Sequence, residues 1–384
     1  MEKQKLPFSL QEYKERLTKV RLKMEEKGVK SLLITAPENI YYLTGYHTLG
    51  YFSYQLLVVP LKEDPFLLTR HLNVENAQVS SWLTRIEGYL DIENPNDATY
   101  KVLDKYDLLD KPIGTQDNAW FFTVAQYLDL RRRLGNGNLV DCSGLVEQVR
   151  LIKSPKEIEY MKKAAQVCAA SLEGAIEATA PGRTENDVAA ACHKALLEAG
   201  SEYLGHPPMV VAGPAAGLGF GTWNRRLIRD DDVVYLEAGG TFQRYNTALS
   251  RTVMVGNPDK KWVKMAEVSK EALNLAIGAI KPGITSGDVD SVCREHIRKA
   301  GYAEYFQHRT GYSIGIGFPP DWGEGRTQSI KEGDSTPLQA GMVFHLIPDL
   351  KVINEGGVVF SETVLVTEDG HELLTNYPQE IFFK

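Results

Sequence analysis

The chain of 384 residues is short of the features that would mark a disulfide scaffold, a membrane protein or a nucleic-acid binder. It has four cysteines, Cys142, Cys168, Cys192 and Cys293, far apart and without a CxxC pair, which excludes a disulfide framework and a zinc ribbon. They are expected to be buried thiols in a reducing cytoplasm. No apolar run approaches the ~20 residues a membrane span needs, and the charged segment 1–17 has no apolar core of the kind a secretory leader carries. The expectation is a soluble, cytoplasmic protein. Basic residues are also in deficit, 43 against 50 acidic, for a net charge of -7. A chain without a basic excess lacks the face that phosphate binding requires, so the expected partner is a small polar molecule, with neither nucleic acid nor membrane. What the chain does have is 43% hydrophobic and 24% charged residues, an ordinary globular balance, and a length that suits two domains.

Leu10, Tyr13, Leu17, Val20 and Met24 recur at helical spacing and Gly28 follows as a stop, which predicts an opening amphipathic helix. Apolar β-type runs follow at 31–35, 55–60 and 65–69, so the first third reads as a small α/β domain. At Lys153-Ser154-Pro155-Lys156-Glu157-Ile158 the character changes: Ser154 can cap a helix with Pro155 and Glu157 in its first turn, running to about Ala178. This places one domain at 1–153 and a second at 154–384.

The second domain contains an internal repeat. Pro181, Gly182, Thr184, Asp187, Val188, Cys192 and Gly200 recur as Pro282, Gly283, Thr285, Asp288, Val289, Cys293 and Gly301 in one ungapped register. In each copy the Thr and the Asp three residues on form a capping-box pattern, and the Gly ends the helix. Chance recurrence of a helix-start pattern would not preserve all seven. Each copy then turns β-rich, at 233–240 with 247–256 and at 342–348 with 358–367. Two pseudo-symmetric α/β halves would bring these sheets together and leave a cleft on the pseudo-axis.

With these signposts, and with Ser250-Arg251-Thr252, His308-Arg309-Thr310-Gly311 and 363–370, nearly the whole chain resembles the pita-bread-fold enzymes of the creatinase, prolidase and aminopeptidase P family. The resemblance implies an N-terminal creatinase-type α/β domain followed by a pseudo-two-fold catalytic domain, and a homodimer. It also implies two metal ions held by two Asp, one His and two Glu. Those positions fall here on Glu237, Ala248, Tyr312, Ile347 and Ser361, a set with two apolar members that makes a poor divalent site. The expectation is therefore no metal and no cofactor. Creatinase and ectoine hydrolase are the members that open C–N bonds without a metal. The catalytic His of creatinase falls on Phe220, one Glu on Ser250 and another on Ile347, which excludes creatine hydrolysis by that mechanism. The ectoine hydrolase branch is more similar, through Glu237, 309–315, Trp322-Gly323-Glu324, Phe344-His345 and Leu43-Thr44-Gly45-Tyr46.

Metal-free opening of an amide or amidine needs a base or nucleophile, a proton donor, and groups that hold a cation. The catalytic candidates are Glu237, Tyr312, His308, His345 and Glu362. Each has a plainer reading: a strand-end Glu, a packed aromatic, structural histidines, an outward-facing Glu. The binding candidates are Arg251, as a carboxylate clamp or a structural ion pair, Asp321 and Trp322 in a predicted loop, and the aromatic segment with Tyr46, Tyr51, Phe52 and Tyr54, which suits either a flat cationic ring or inter-domain packing. The Gly-rich 213–219 lacks the Lys and Ser/Thr of a phosphate loop. Three functions compete: a metal-independent hydrolase of a small C–N compound, a non-catalytic binding protein of the same fold, and a Xaa-Pro peptidase-like metal enzyme in which Glu237, His345 and Glu362 converge.

Overall fold

The computed structural model describes residues 4–135 and 139–384, so the first three residues of the N-terminal segment lie outside it. The chain forms two compact units, Met1–Arg150 and Leu151–Lys384. Among the described residues no helix is long and apolar enough to cross a membrane.

The first unit opens with the helix Leu10–Glu26, capped by the Ser9 side chain, which accepts from the Glu12 amide. Tyr13, Leu17, Val20 and Met24 are buried at the predicted spacing, while Leu10, ahead of the first full turn, stays exposed. The helix is followed by Gly28 at φ 70°, a left-handed conformation in which glycine carries no Cβ penalty. The six-stranded sheet runs in the order Ile86–Tyr89, Phe66–Arg70, Leu56–Pro60, Ser31–Ile34, Ile113–Thr115, Leu139–Asp141, with antiparallel pairs only on either side of Leu56–Pro60.

In the second unit Ser154 and Glu157 form a full capping box at the start of Pro155–Ala178. Both predicted boxes of the repeat are present, Thr184 with Asp187 before Glu185–Glu198 and Thr285 with Asp288 before Ser286–Lys299. Each capped helix packs on a longer one, Pro155–Ala178 and Lys260–Ala279 respectively, and each pair covers its own apolar cluster. One contains Val188 and Cys192, the other Val289 and Cys293. All four cysteines are free and buried.

The helices cover a sheet whose central path is His371–Leu373, Glu362–Val366, Val343–Leu346, Gly311–Phe318, Tyr245–Met254, Val233–Phe242, Met209–Ala212. The two halves meet where Ile316 pairs with Tyr245. Gly239-Gly240 shows how closely layers approach there. A Cβ on Gly240 would lie 2.1 Å from the Ala164 carbonyl in the helix behind, and one on Gly239 would lie 2.5 Å from the Trp322 ring.

Two sequence expectations change. The run 358–367 is not one strand: Gly356–Val358 pairs with Leu350–Val352, and the ladder resumes only at Glu362–Val366. Between them the Thr252 hydroxyl accepts from the Val359 amide and lies 2.9 Å from its carbonyl, a side-chain bridge in place of a backbone rung. The predicted loop 319–324 instead returns as a hairpin, with Asp321–Gly323 paired to Gly311–Phe318.

Candidate functional site

Period-two geometry builds the floor of the site. On the strand Val233–Phe242, Tyr235 and Glu237 share one face, and across the antiparallel ladder they lie opposite Val211 and Met209. All four line a cavity of about 370 Å³. The second half of the unit supplies His308, Arg309 and Tyr312 at the entry to Gly311–Phe318, and Ile347, Asp349 and Lys351 after Val343–Leu346. The cavity thus lies between the repeats, with apolar walls from Ala216, Leu218, Phe220 and Ile347. Asp290 fixes the entry segment by accepting from the Thr310 amide and hydroxyl, at 3.2 and 2.7 Å, while Arg294 donates to the His308 carbonyl at 3.0 Å.

Glu237 is buried, and one of its oxygens receives a long hydrogen bond, 3.4 Å, from the Tyr235 hydroxyl. Burial raises its pKa to about 7, against the opposing pull of the Lys351 ammonium, His308 and the Tyr235 hydrogen bond. Lys351 lies 4.9 Å from the Tyr235 ring centre and pairs with Asp349. Its own pKa falls to about 8 through burial, with Glu237 pulling the other way. Asp349 also meets His308 Nε2 at 2.7 Å, while His308 Nδ1 faces the Arg309 carbonyl. A singly protonated imidazole can donate to only one of these two acceptors. Burial and then Lys351 push the ring's pKa down to about 4, so near neutral pH the imidazole is uncharged. The result is a carboxyl group that titrates near neutrality beside a neutral imidazole and the Asp349–Lys351 pair.

Three of the catalytic candidates, Glu237, His308 and Tyr312, therefore meet in one cavity. His345 lies directly behind them. Tyr312 and His345 are cross-strand partners, their rings edge to face at 5.3 Å, and the Tyr312 hydroxyl is 3.0 Å from His345 Nδ1. His345 Nε2 is 2.8 Å from the Ser361 hydroxyl. Burial first, then His308, drives the His345 pKa to about 3, so the ring is neutral. Trp322 is buried rather than in the lining and donates from Nε1 to the Tyr312 hydroxyl at 3.0 Å. Asp321 is exposed and turns back to accept from the Gly323 amide.

Glu362 and Arg251 are placed elsewhere. They form a fully buried pair at 2.6 Å, and Arg251 spends its remaining donors on the carbonyls of Ser250, Ser361, Tyr377 and Pro378. Glu362 accepts further from Thr375 and Gln379. With every donor committed to the chain, Arg251 has none left to clamp a ligand, and the pair ties segment 375–379 to the sheet. In the first unit Tyr46 and Tyr54 are interior, the Tyr54 hydroxyl 2.8 Å from Thr99. Phe52 is 71% exposed, and Tyr51 packs edge-on against Phe121. Sequence reasoning missed Asp349, Lys351 and Tyr235. The available signal was the oppositely charged Asp349 and Lys351 within the otherwise apolar stretch 346–352.

The donor set does not fit a divalent metal pair. Of the five positions assigned to ligands, Ala248 and Ile347 offer no donor, Tyr312 is engaged by Trp322 and His345, Ser361 is engaged by His345, and Glu237 alone is a carboxylate. Among the described residues no group of three or more His, Cys, Asp or Glu side chains converges to hold a metal. Nor do Glu237, His345 and Glu362 converge, because Glu362 is committed to Arg251.

Comparison with known proteins agrees with the architecture. Residues 159–368 match metallopeptidase family M24 and residues 16–152 match the creatinase/prolidase N-terminal domain. The ectoine hydrolase of Halomonas elongata is 31% identical, covering 99% of both chains, and an uncharacterized hydrolase/peptidase of Sinorhizobium fredii is 33% identical with the same coverage. Among solved structures, the prolidase from Thermococcus sibiricus superposes with a TM-score of 0.87 at 27% identity, covering 97% of this chain and 99% of that one. The prolidase from Pyrococcus horikoshii gives 0.85 at 26%, covering 96% and 99%. The chain belongs to the hydrolases of metallopeptidase family M24, with a creatinase/prolidase-type domain preceding a pita-bread catalytic domain.

Proposed function

We propose that this protein is a metal-independent hydrolase of a C–N bond in a small amidine- or amide-like metabolite, with a cyclic amidine of the ectoine type as the best-fitting substrate. The observation that carries this reading is Glu237: a buried carboxylate with a pKa near 7, facing a metabolite-sized cavity where its family relatives would need a set of metal ligands. The relative from Halomonas elongata, named for ectoine hydrolysis, supports the substrate class.

In this reading the planar amidinium lies against the apolar walls, with its charge next to Glu237 and Asp349. Ionised Glu237 takes a proton from water as the water oxygen bonds to the amidine carbon. The tetrahedral adduct then collapses: the ring C–N bond breaks as the proton on Glu237 passes to the leaving nitrogen, and the adduct hydroxyl gives its proton through Glu237 to the amine, which leaves as an ammonium carrying the amidinium's charge. The products are an amide carbonyl and that ammonium, an N-acyl diamino acid when the substrate is a carboxylated tetrahydropyrimidine. A cavity of about 370 Å³ suits such a compound better than an extended peptide.

The test is calorimetric titration of metal-stripped protein with ectoine, hydroxyectoine, creatine and proline dipeptides, followed by mass analysis of the mixtures. The expected result is ring opening of a cyclic amidine that chelator leaves unchanged. Turnover lost with chelator and restored by a divalent metal overturns the metal-free mechanism. Binding without turnover reassigns the cavity to a non-catalytic binding protein.

A further inference from the structure

Tyr312 is held by a line of hydrogen bonds that the reaction above does not use. Its hydroxyl receives Trp322 Nε1–H at 3.0 Å, lies 3.0 Å from His345 Nδ1, and His345 Nε2 lies 2.8 Å from the Ser361 hydroxyl. His345 and Ser361 are completely buried. Among the described residues no other hydrogen bond reaches the Tyr312 hydroxyl, the His345 ring or the Ser361 side chain.

A neutral imidazole in this line has two tautomers, and they leave the Tyr312 hydrogen in different places. With the proton on Nε2, His345 donates to Ser361 and the Tyr312 hydrogen is taken up by Nδ1, so a Tyr312 lone pair faces the cavity. With the proton on Nδ1, Ser361 donates to Nε2, and Tyr312 accepts from both His345 and Trp322. Its two lone pairs are then filled from behind, and the hydroxyl hydrogen has one remaining direction, into the cavity. Glu237 decides between them. It lines the same cavity and its negative charge acts on the Tyr312 hydroxyl, which favours a hydrogen rather than a lone pair on the cavity side.

We propose that Ser361, through the Nδ1–H tautomer of His345, sets Tyr312 as an oriented hydrogen-bond donor to the reacting group, with Trp322 as the second brace. Tyr312 is the residue that touches substrate; His345, Ser361 and Trp322 are positioning residues. This rests on the hydrolase reading for its chemical consequence, because the donor meets the lone pair that returns to an amidine nitrogen as the adduct forms and the cationic charge is lost. Ser361 stands at a position where the metal-dependent members of the family are expected to carry a Glu, so in this chain the position serves the tyrosine instead of an ion.

Two measurements separate this proposal from the reaction itself. Long-range proton–nitrogen NMR of the ligand-free protein at about pH 8, with the His345 signals assigned from His345→Gln, is expected to show Nδ1 protonated and Nε2 bare. A proton on Nε2 overturns the proposal whether or not any substrate turns over. A bare Nε2 in a protein that opens no C–N compound overturns the hydrolase reading and leaves the positioning line standing. With a turned-over substrate, Tyr312→Phe is expected to lower kcat about 100-fold and Ser361→Ala about 10-fold, with KM held within about twofold. Ser361→Thr, which keeps the hydroxyl, restores the rate. Added to Tyr312→Phe, Ser361→Ala has no further effect; a full additional 10-fold loss in that background means Ser361 does not act through Tyr312 and sinks the idea.

Discussion

Glu237 ties activity to stability through a single titration. Burial raises its pKa from 4.5 to about 7 even though Lys351, His308 and Tyr235 pull it down, so the fold favours the protonated form. The stabilisation that follows is complete below about pH 4.5 and is lost as pH rises through about 7. Glu237→Gln keeps the shape of the protonated acid and cannot ionise. The variant is expected to lose turnover, to match the parent's thermal stability at about pH 4.5, and to exceed it at pH 8 by up to roughly 3 kcal/mol. A stability gap that stays constant between these two pH values would mean that Glu237 is not desolvated in the fold. Glu237 was reached from the sequence because the family resemblance puts a ligand position there and an apolar strand would turn its side chain inward. Its surroundings were not: Asp349, just before the strand Leu350–Val352, and Lys351, within it, are more than 100 residues away, and only the pairing of the two halves shows that they share its cavity. The same limit explains Arg251 and Glu362, each reasonable alone as a site residue, whose mutual pairing across 111 residues removes both from the cavity.

At the scale of elements, the repeat could be read from sequence because capping is local. Thr184 with Asp187 and Thr285 with Asp288 each close a box within four residues, and each box does the same work in its half. Thr184→Ala and Thr285→Ala are therefore expected to destabilise the protein equally, by about 1 kcal/mol each, and to add when combined because the two caps belong to separate helix pairs. Denaturant unfolding followed by circular dichroism measures this, and a loss confined to one variant would break the functional equivalence of the halves. The strands were less legible than the helices. The break between Val358 and Glu362 depends on Thr252 replacing a backbone rung with its side chain, and nothing in the run of apolar residues at 358–367 announces that partner. The hairpin at Asp321–Gly323 is similar: two prolines suggest a loop, and the structure adds a short return strand that brings Trp322 behind Tyr312. Ser361 on His345 lies in that interruption and Trp322 on Tyr312 lies in that hairpin, so the parts of the fold hardest to read are those that shape the site.

At the scale of the whole molecule, family resemblance implies a homodimer, and the first unit carries a surface suited to one. Leu49 and Phe52 are 69% and 71% exposed, Trp120 is 47% exposed, and the edge-on contact of Tyr51 with Phe121 joins their two segments. Exposed apolar side chains gathered around an aromatic contact are costly in a monomer and are characteristic of association surfaces. We propose that this patch belongs to the dimer contact, which also gives the aromatic segment 46–54 a purpose that Tyr46 and Tyr54, buried in the unit's interior, do not supply. Light scattering is expected to give twice the 42.9 kDa of one chain. Phe52→Glu combined with Trp120→Glu is expected to give the single-chain mass while circular dichroism stays unchanged, since both side chains lie at the surface. A parent protein that runs as one chain at micromolar concentration rules the dimer out. A double variant that remains dimeric moves the contact to another face of the protein.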